Sequence, residues 1–171
     1  ISADAGSDLI RVGSNLASTA GSISLAGTGS GGVELTADRV RIQADRGISL
    51  GALSGTRAGV LELISREGMI AGNSATGFGA LFIGGAAPVA FEGRVESAST
   101  DLSAHTAGAV AFNGGLFTGN LETGTTAYSF SQRGGALESA VEYRNRGALR
   151  LIDVTFSDGA IATAPSTSSP S

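Results

Sequence analysis

The fold is decided by one stretch, Gly32-Val33-Glu34-Leu35-Thr36-Ala37-Asp38-Arg39-Val40-Arg41-Ile42-Gln43-Ala44-Asp45-Arg46-Gly47-Ile48-Ser49-Leu50. Apolar side chains alternate with polar ones in three short segments, 33–35, 40–42 and 48–50. Period-two alternation places the apolar side chains on one face of a β-strand. No helix and no strong Asn-Gly or Asp-Gly hairpin signal separates the segments. The stretch therefore predicts a chain that bends at each corner and continues in the same sense, as in a β-solenoid.

Composition favours an all-β fold. The 171 residues include 27 glycines, and 42% of the chain is hydrophobic while only 15% is charged. Residues that fill helix surfaces are scarce. Three strands and about 20 residues per coil predict about seven or eight short coils in a single domain over residues 1–161. Residues 162–171 are rich in Pro, Ser and Thr, which predicts a tail or linker.

Short apolar segments recur along the rest of the chain and are predicted as further strands. They are 9–12, 22–26, 60–64, 80–83, 89–91, 109–112, 116–121, 127–130, 140–143, 149–152 and 154–156. Alternation lapses at 51–59 and 68–79, where Gly, Ser, Ala and Thr dominate. These two stretches are predicted as loops where a coil bulges outward or a lateral hairpin emerges.

Charge and residue usage exclude several classes of function. The chain has no cysteine and no lysine, and eleven arginines face fifteen acids, for a net charge of −4. An acidic surface argues against a nucleic-acid partner. No apolar run approaches the ~20 residues that span a bilayer, so we predict no membrane-spanning segment. The start at Ile1, without methionine or a signal-like segment, suggests a processed or excised piece.

One glycine-rich motif has the spacing of a nucleotide-binding loop. Gly27-Thr28-Gly29-Ser30-Gly31-Gly32 matches G-x-G-x-x-G after a predicted strand. The next element is a strand and not a helix, so a pyrophosphate would lack a helix N-terminus to bind. We interpret the motif as a glycine-rich corner and predict no cofactor.

Metal and catalytic signals are weak. His105 is the only histidine, its nearest acid is Asp101, and no G-x-S-x-G elbow marks a nucleophile, so we interpret it as a surface or loop histidine. A single histidine without cysteine disfavours zinc. Asp4-Ala5-Gly6-Ser7-Asp8 offers carboxylates for calcium but matches neither an EF-hand nor a G-G-x-G-x-D repeat. No catalytic residue or metal site is predicted.

Carboxylates occur in two clusters mixed with arginines. The first comprises Asp38, Arg39, Arg41, Asp45 and Arg46, and the second Glu138, Glu142, Arg144, Arg146, Arg150 and Asp153. We interpret them as ion pairs on a solvated sheet face, each contributing about 0.2–1 kcal/mol. A glycosidase needs two carboxylates about 5–10 Å apart across a groove, a separation that sequence leaves open.

Phenylalanines end several of the predicted strands. They are Phe82, Phe91, Phe112, Phe130 and Phe156. This placement predicts an internal aromatic stack along the solenoid, with Tyr128 on the same face as Phe130. The lack of tryptophan weakens the case for a sugar-stacking platform.

The units Gly21-Ser22-Ile23-Ser24-Leu25-Ala26, Gly32-Val33-Glu34-Leu35-Thr36-Ala37 and Gly47-Ile48-Ser49-Leu50 resemble the Gly-x-Leu/Ile-x-Leu-x-Ala repeats of filamentous-haemagglutinin-type surface proteins. The stretches 126–130, 139–143 and 145–151 resemble repeats of very large haemagglutinin-like exported proteins of environmental bacteria. The resemblance covers about residues 21–156 and implies a right-handed parallel β-helix, bacterial export to the cell surface and an adhesive or scaffolding role. The Asn-Pro-containing entry motif of two-partner secretion is missing, which leaves the export route open.

These observations predict a non-catalytic structural or adhesive segment of an exported bacterial surface protein, which forms a stiff rod or filament unit. The expected partners are other copies of the chain, other surface proteins, polysaccharide or a host-cell surface. A polysaccharide-active β-helix lyase or hydrolase is the alternative. Side chains such as Leu35, Ile42 and Leu50 are predicted to form the inward ladder.

Overall fold

A computed structural model of the chain describes residues 1–4, 9–26, 32–56, 59–123, 130–137, 141–143, 149–156 and 161–163. This part of the chain consists of short β-strands and turns. In chain order the strands are β1 Ser2–Asp4, β2 Ile10–Val12, β3 Leu16–Ser18, β4 Ile23–Ala26, β5 Val33–Leu35, β6 Arg39–Ala44, β7 Ile48–Leu50, β8 Leu53–Ser54, β9 Val60–Ser65, β10 Ile70–Gly72, β11 Ala75–Gly85, β12 Val89–Phe91, β13 Val95–Asp101, β14 Val110–Phe112, β15 Leu116–Glu122, β16 Phe130–Arg133, β17 Ala136–Leu137, β18 Val141–Tyr143, β19 Leu149–Ile152, β20 Thr155–Phe156 and β21 Ile161–Thr163.

The strands form two parallel sheets. The first sheet has eight strands in the order β1-β4-β7-β10-β12-β14-β16-β19, and the second has thirteen. Every paired strand runs parallel to its neighbour from the next coil, which confirms the predicted parallel β-solenoid. The chain makes about six turns. The predicted seven or eight coils thus match the strands of the first sheet and exceed the number of turns. The right-handed sense stays a prediction.

The second sheet contains two ladders that merge along the solenoid. In the early coils β2, β5 and β8 form one ladder, while β3, β6 and β9 form the other. Strand β11 pairs with both β8 and β9, so two strands of a coil become one long strand. Its register shifts between Ala75 and Phe78, where Gly77 adopts a φ of 82°. The predicted three strands per coil therefore hold early and become two at β11, β13 and β15.

The core is a set of side-chain ladders that run along the solenoid. In the first sheet Ile23 lies over Ile48, which lies over Ile70, and all three are at most 1% exposed. The predicted inward residues Leu35, Ile42 and Leu50 are also buried. Stacking neighbours thus supply a core that no single coil could make.

An aromatic stack continues this core. The ring centroids of Phe91 and Phe112 lie 6.0 Å apart with an interplanar angle of 17°, and those of Phe112 and Phe130 lie 5.9 Å apart at 56°. The prediction was wrong for Phe82, which is 36% exposed because its strand position points outward next to the inward Leu81 and Ile83. Phe78, which the pattern missed, is buried. Tyr128 and the side chain of Phe156 lie outside the described residues.

Both predicted loops contain strands, so those predictions were wrong. The first contains β8, and the second contains β10 and the start of β11. In both stretches a glycine interrupts the alternation of apolar and polar residues, because it occupies an inward position next to a large side chain. A Cβ on Gly55 would overlap the ring of Phe78, and a Cβ on Gly72 would overlap that of Phe91. At the other end, β21 crosses the predicted boundary at residue 161, and residues 164–171 lie outside the described part of the chain.

Candidate functional site

Glu62 on the outer face of β9 binds two arginines of the preceding coil. Arg39 Nε donates to Glu62 Oε1 at 2.7 Å and Arg41 Nε donates to Glu62 Oε2 at 2.5 Å. The Glu62 side chain is only 7% exposed, whereas those of Arg39 and Arg41 are 66% and 50% exposed. Burial alone would raise the pKa of Glu62, but the hydrogen bonds from Arg41 and Arg39 and their charges outweigh it and lower the pKa.

Members of the first predicted cluster do form ion pairs, but with residues of the next coil that lie outside the cluster and not with one another. Arg39 and Arg41 bind Glu62, and Arg66 Nη1 lies 3.7 Å from Asp45 Oδ1. Parallel stacking places residues one coil apart side by side, whereas sequence neighbours on a strand point to opposite faces. In the second predicted cluster, residues 138, 144 and 146 and the side chain of Glu142 lie outside the described part.

The outer face of the second ladder changes character along the solenoid. We call this surface the long-strand face and define it by the outward positions of 39–43, 60–64, 80–84, 99–101 and 120–122. One column of paired positions reads Arg41, Glu62, Phe82, Asp101 and Glu122. The face thus passes from arginines through an exposed ring to carboxylates, and sequence reasoning missed it because its members lie one coil apart.

A groove of about 380 Å³ lies where the two halves of β11, β13 and β15 meet. The residues at this bend are Gly77, Ala98 and Gly119. Their small side chains leave the depression open. The groove is therefore a consequence of the merged strands, which the sequence analysis did not predict.

One side of this groove carries an arginine, a ring and a carboxylate. The Arg94 guanidinium lies over the Phe117 ring with its carbon 3.5 Å from the ring centroid. Arg94 Nε also donates to Glu96 Oε2 at 3.0 Å, and Glu96 is the strand partner of Phe117. Such a cluster presents hydrogen-bond donors and acceptors beside an apolar surface.

Beneath the groove, buried hydroxyl groups bond to one another. Ser97 Oγ and Thr100 Oγ1 are 2.7 Å apart, Thr100 donates to Thr118 Oγ1 at 3.2 Å, and Thr118 donates to the Asn120 carbonyl at 2.8 Å. These bonds satisfy polar groups that burial would otherwise penalise. They fix the walls of the groove from within.

A second groove, of about 460 Å³, runs across the corner that follows the long-strand face. Its polar lining includes Thr19, Gln43, Asp45, Arg66 and Thr106. The Asp45–Arg66 pair spans two coils within it. Ala44, Ile64 and Ala86 also line this groove, so polar and apolar groups are mixed along it.

His105 is buried, so its interpretation as a surface histidine was wrong. Its side chain is fully covered in a turn that bridges to Gly85, and its Nε2 lies 2.8 Å from the Ala87 carbonyl oxygen. Burial lowers the pKa of His105, against the opposing effect of the bond to Ala87. The fold encloses the ring where the chain turns between the sheets.

The remaining predicted motifs fall largely outside the described residues. Positions 27–31 of the glycine motif and positions 5–8 of the calcium candidate are among them. In the described ranges, no group of three or more His, Cys, Asp and Glu side chains is placed to hold a metal ion. The same ranges contain no helix with the length and apolar character needed to cross a membrane.

The architecture defines the chain as a parallel β-solenoid. Comparison with protein-family models, curated proteins and solved structures found no match to the chain. The resemblance to filamentous-haemagglutinin-type repeats therefore rests on the quoted units alone.

Proposed function

We propose that the chain is a non-catalytic structural or adhesive segment of an exported bacterial cell-surface protein, in which stacked coils form a stiff rod or filament unit. The observation that carries the proposal is the uninterrupted parallel stack of the first sheet from β1 to β19. A ladder of this kind resists bending because every coil is hydrogen-bonded and packed to the next. The resemblance to filamentous-haemagglutinin-type repeats supports export and a surface location.

Particle lengths test the rod. Negative-stain electron microscopy of the purified chain, with light scattering at several concentrations, should show rods whose lengths are multiples of one domain. Discrete short particles at every concentration would contradict the filament unit. Protease treatment of intact bacteria that produce the full-length protein tests the surface location, because a surface protein is cleaved without lysis.

The groove at the strand bend supports the adhesive part of the proposal. Arg94 and Glu96 beside Phe117 suit the hydroxyl groups and apolar faces of a polysaccharide. Binding to an array of neutral and acidic polysaccharides should fall in Arg94→Ala and persist in Arg66→Ala, which alters the other groove. Release of reducing ends from a bound polysaccharide would favour the alternative, a polysaccharide-active enzyme.

A further inference from the structure

The long-strand face has opposite charges at its two ends. Arg39 and Arg41 lie on β6 at one end of the face, while Asp101 on β13 and Glu122 on β15 lie toward its other end. No ion pair joins either of these carboxylates to a described arginine; Asp101 accepts a bond from the backbone of Ser103. The face is therefore complementary to itself when it is turned end for end.

Phe82 lies at the centre of this arrangement. Its ring is 36% exposed, and the partly buried Val60, Ile64 and Ala80 surround it on the same face. Isolated exposed apolar residues are ordinary, but an aromatic ring at the middle of a charged face is typical of an interface centre.

We propose that two copies of the chain pair side by side in antiparallel orientation through the long-strand face, with a twofold axis at Phe82. A twofold interface places the same surface of both copies in contact, so residue i meets residue j and residue j meets residue i. Phe82 then packs against its equivalent.

The register of the coils makes the charges meet. The guanidinium groups of Arg39 and Arg41 lie at the level of β9, because both bind Glu62 there. A twofold axis at β11 brings β9 of one copy opposite β13 of the other. Asp101 of the second copy thus faces guanidinium groups that keep free N–H donors, and Glu122 lies one coil further on. Glu62 does not repel Asp101 strongly, since its own charge is already neutralised by two arginines.

The area predicts a reversible dimer. The five ranges that define the face contain 21 residues, each covering about 4.8 Å by 3.3 Å of the sheet, or roughly 330 Å² per copy. A total of about 700 Å² is below the size of a stable specific interface, which predicts a weak and transient dimer. The pairing is lateral, so it does not depend on end-to-end growth and doubles the width of a particle without changing its length.

Sedimentation velocity between about 1 and 200 μM tests the pairing, a range set by the weak interface expected from its area. We expect a monomer–dimer equilibrium whose dissociation constant rises about tenfold from 50 to 500 mM salt. Phe82→Ser and Glu122→Arg should each weaken the dimer at least about tenfold. Met69→Ser and Glu67→Arg introduce the same residues at exposed positions off the face and should leave the dissociation constant unchanged. Thermal melts show that each variant is folded.

Single cysteines test the orientation, because the chain has no cysteine of its own. Ala80 lies beside the axis, whereas Asn120 lies two coils away in the same column. The axis at Phe82 reverses the strand direction, so the two copies of Ala80 lie four residues, about 13 Å, apart along the strand, whereas the two copies of Asn120 lie in addition four strand levels, about 19 Å, apart. Nitroxide labels on Ala80→Cys should therefore give a shorter distance between the two copies than labels on Asn120→Cys in pulsed electron–electron double resonance. Equal distances for the two variants would indicate parallel pairing and overturn the proposal. A chain that stays monomeric at every concentration would also overturn it and leave the face to another partner.

Discussion

Glu62 is the residue at which charge and burial act most strongly on each other. Its carboxylate is nearly covered, yet two arginines of the previous coil bond to it. A carboxylate that loses its water must recover the lost solvation from such bonds. The ion pairs connect two adjacent coils on their outer face, which the apolar core side chains do not contact.

We predict that Glu62→Gln lowers the free energy of unfolding at pH 7 by about 1–3 kcal/mol, because hydrogen bonds to a charged group are lost. The pKa of Glu62 is lowered in the folded state, so its contribution is present above the ordinary value of 4.5 and is lost as pH falls through the folded pKa. Urea unfolding of the wild-type protein and Glu62→Gln should be measured from pH 7 to pH 3. The difference between their free energies of unfolding should shrink as the pH falls below 4.5.

Glu67→Gln is the matched control, because the Glu67 side chain is exposed on the turn after the same strand. It should change the free energy of unfolding by less than about 0.5 kcal/mol. A Glu62 variant as stable as this control at pH 7 would show that the two arginines contribute nothing net.

We predict that protonation of His105 opposes folding. The folded pKa is lowered by burial, so the neutral ring stabilises the protein above the ordinary value of 6.5, and this stability is lost as pH falls toward the folded pKa. The melting temperature of the wild-type protein should drop between pH 7.5 and pH 5.5. His105→Gln keeps a hydrogen-bonding group near Ala87 and should lack most of this drop, whereas an equal drop in both proteins would assign it to other groups.

At the scale of the element, one ladder position decides the stability of a strand. We predict that Ile42→Ala costs about 2–5 kcal/mol in unfolding free energy, because it leaves a cavity between Leu16 and Leu63 of the adjacent coils. Gln43→Ala, next on the same strand but exposed, should cost less than about 0.5 kcal/mol. Similar small effects at both sites in urea unfolding would count against the inward register.

A substitution at Gly72 in the first sheet adds side-chain volume to the core, whereas Ile42→Ala removes it. The Phe91 ring occupies the space where a Cβ would lie, and this ring is itself stacked on Phe112. We predict that Gly72→Ala destabilises the protein by about 1–3 kcal/mol through overpacking. Calorimetric melting of the single and double variants is the measurement.

Phe91→Leu should recover part of the loss when it is combined with Gly72→Ala, because the smaller side chain frees the space. Gly84→Ala is the control, since its Cβ would lie 3.4 Å from the Cβ of Ala104 in ordinary contact. Strict additivity of the two changes would show that Gly72 and Phe91 do not compete for one space.

The alternation of apolar and polar residues made most strands predictable, and β5, β6 and β7 lie where the quoted stretch places them. Strands β8 and β10 were missed because Gly55 and Gly72 stand where an apolar residue would be expected. The space that their side chains would fill is occupied by a phenylalanine ring of the next coil, which the local sequence does not reveal. The same limit applies to the surface. Glu62 could have been paired with Arg39 and Arg41 only by counting one coil length along the chain.

Phe82 shows a second limit of sequence reasoning. It lies in the run Leu81-Phe82-Ile83, where three apolar residues in a row do not show which one points outward. Only the pairing with Glu62 and Asp101 fixes that direction. The long-strand face and the bend groove depend on the merging of two strands, a feature that the residue pattern does not contain.

For the whole molecule, the solenoid is a one-dimensional stack in which each coil contacts only its neighbours. Stability then approximates a sum of coil and interface contributions, and opening begins where a coil has fewest neighbours. The merged strands β11, β13 and β15 are the longest of the described strands and lie between coils on both sides. The centre of the stack should therefore be its most stable part.

We predict that amide hydrogens of β11 and β13 exchange slowest in the full chain, and that protection decreases through β7 and β4 to β1. A coil nearer the end of the stack opens when fewer interfaces between coils are broken. The free energy of local opening therefore falls by one interface at each step outward. Hydrogen–deuterium exchange with peptide-level mass spectrometry measures this gradient. Ile42→Ala should lower protection most in the coils that contain β3, β6 and β9 and much less in β15. Equal protection from β1 to β15, lowered uniformly by that substitution, would instead mean that the solenoid unfolds as one cooperative unit.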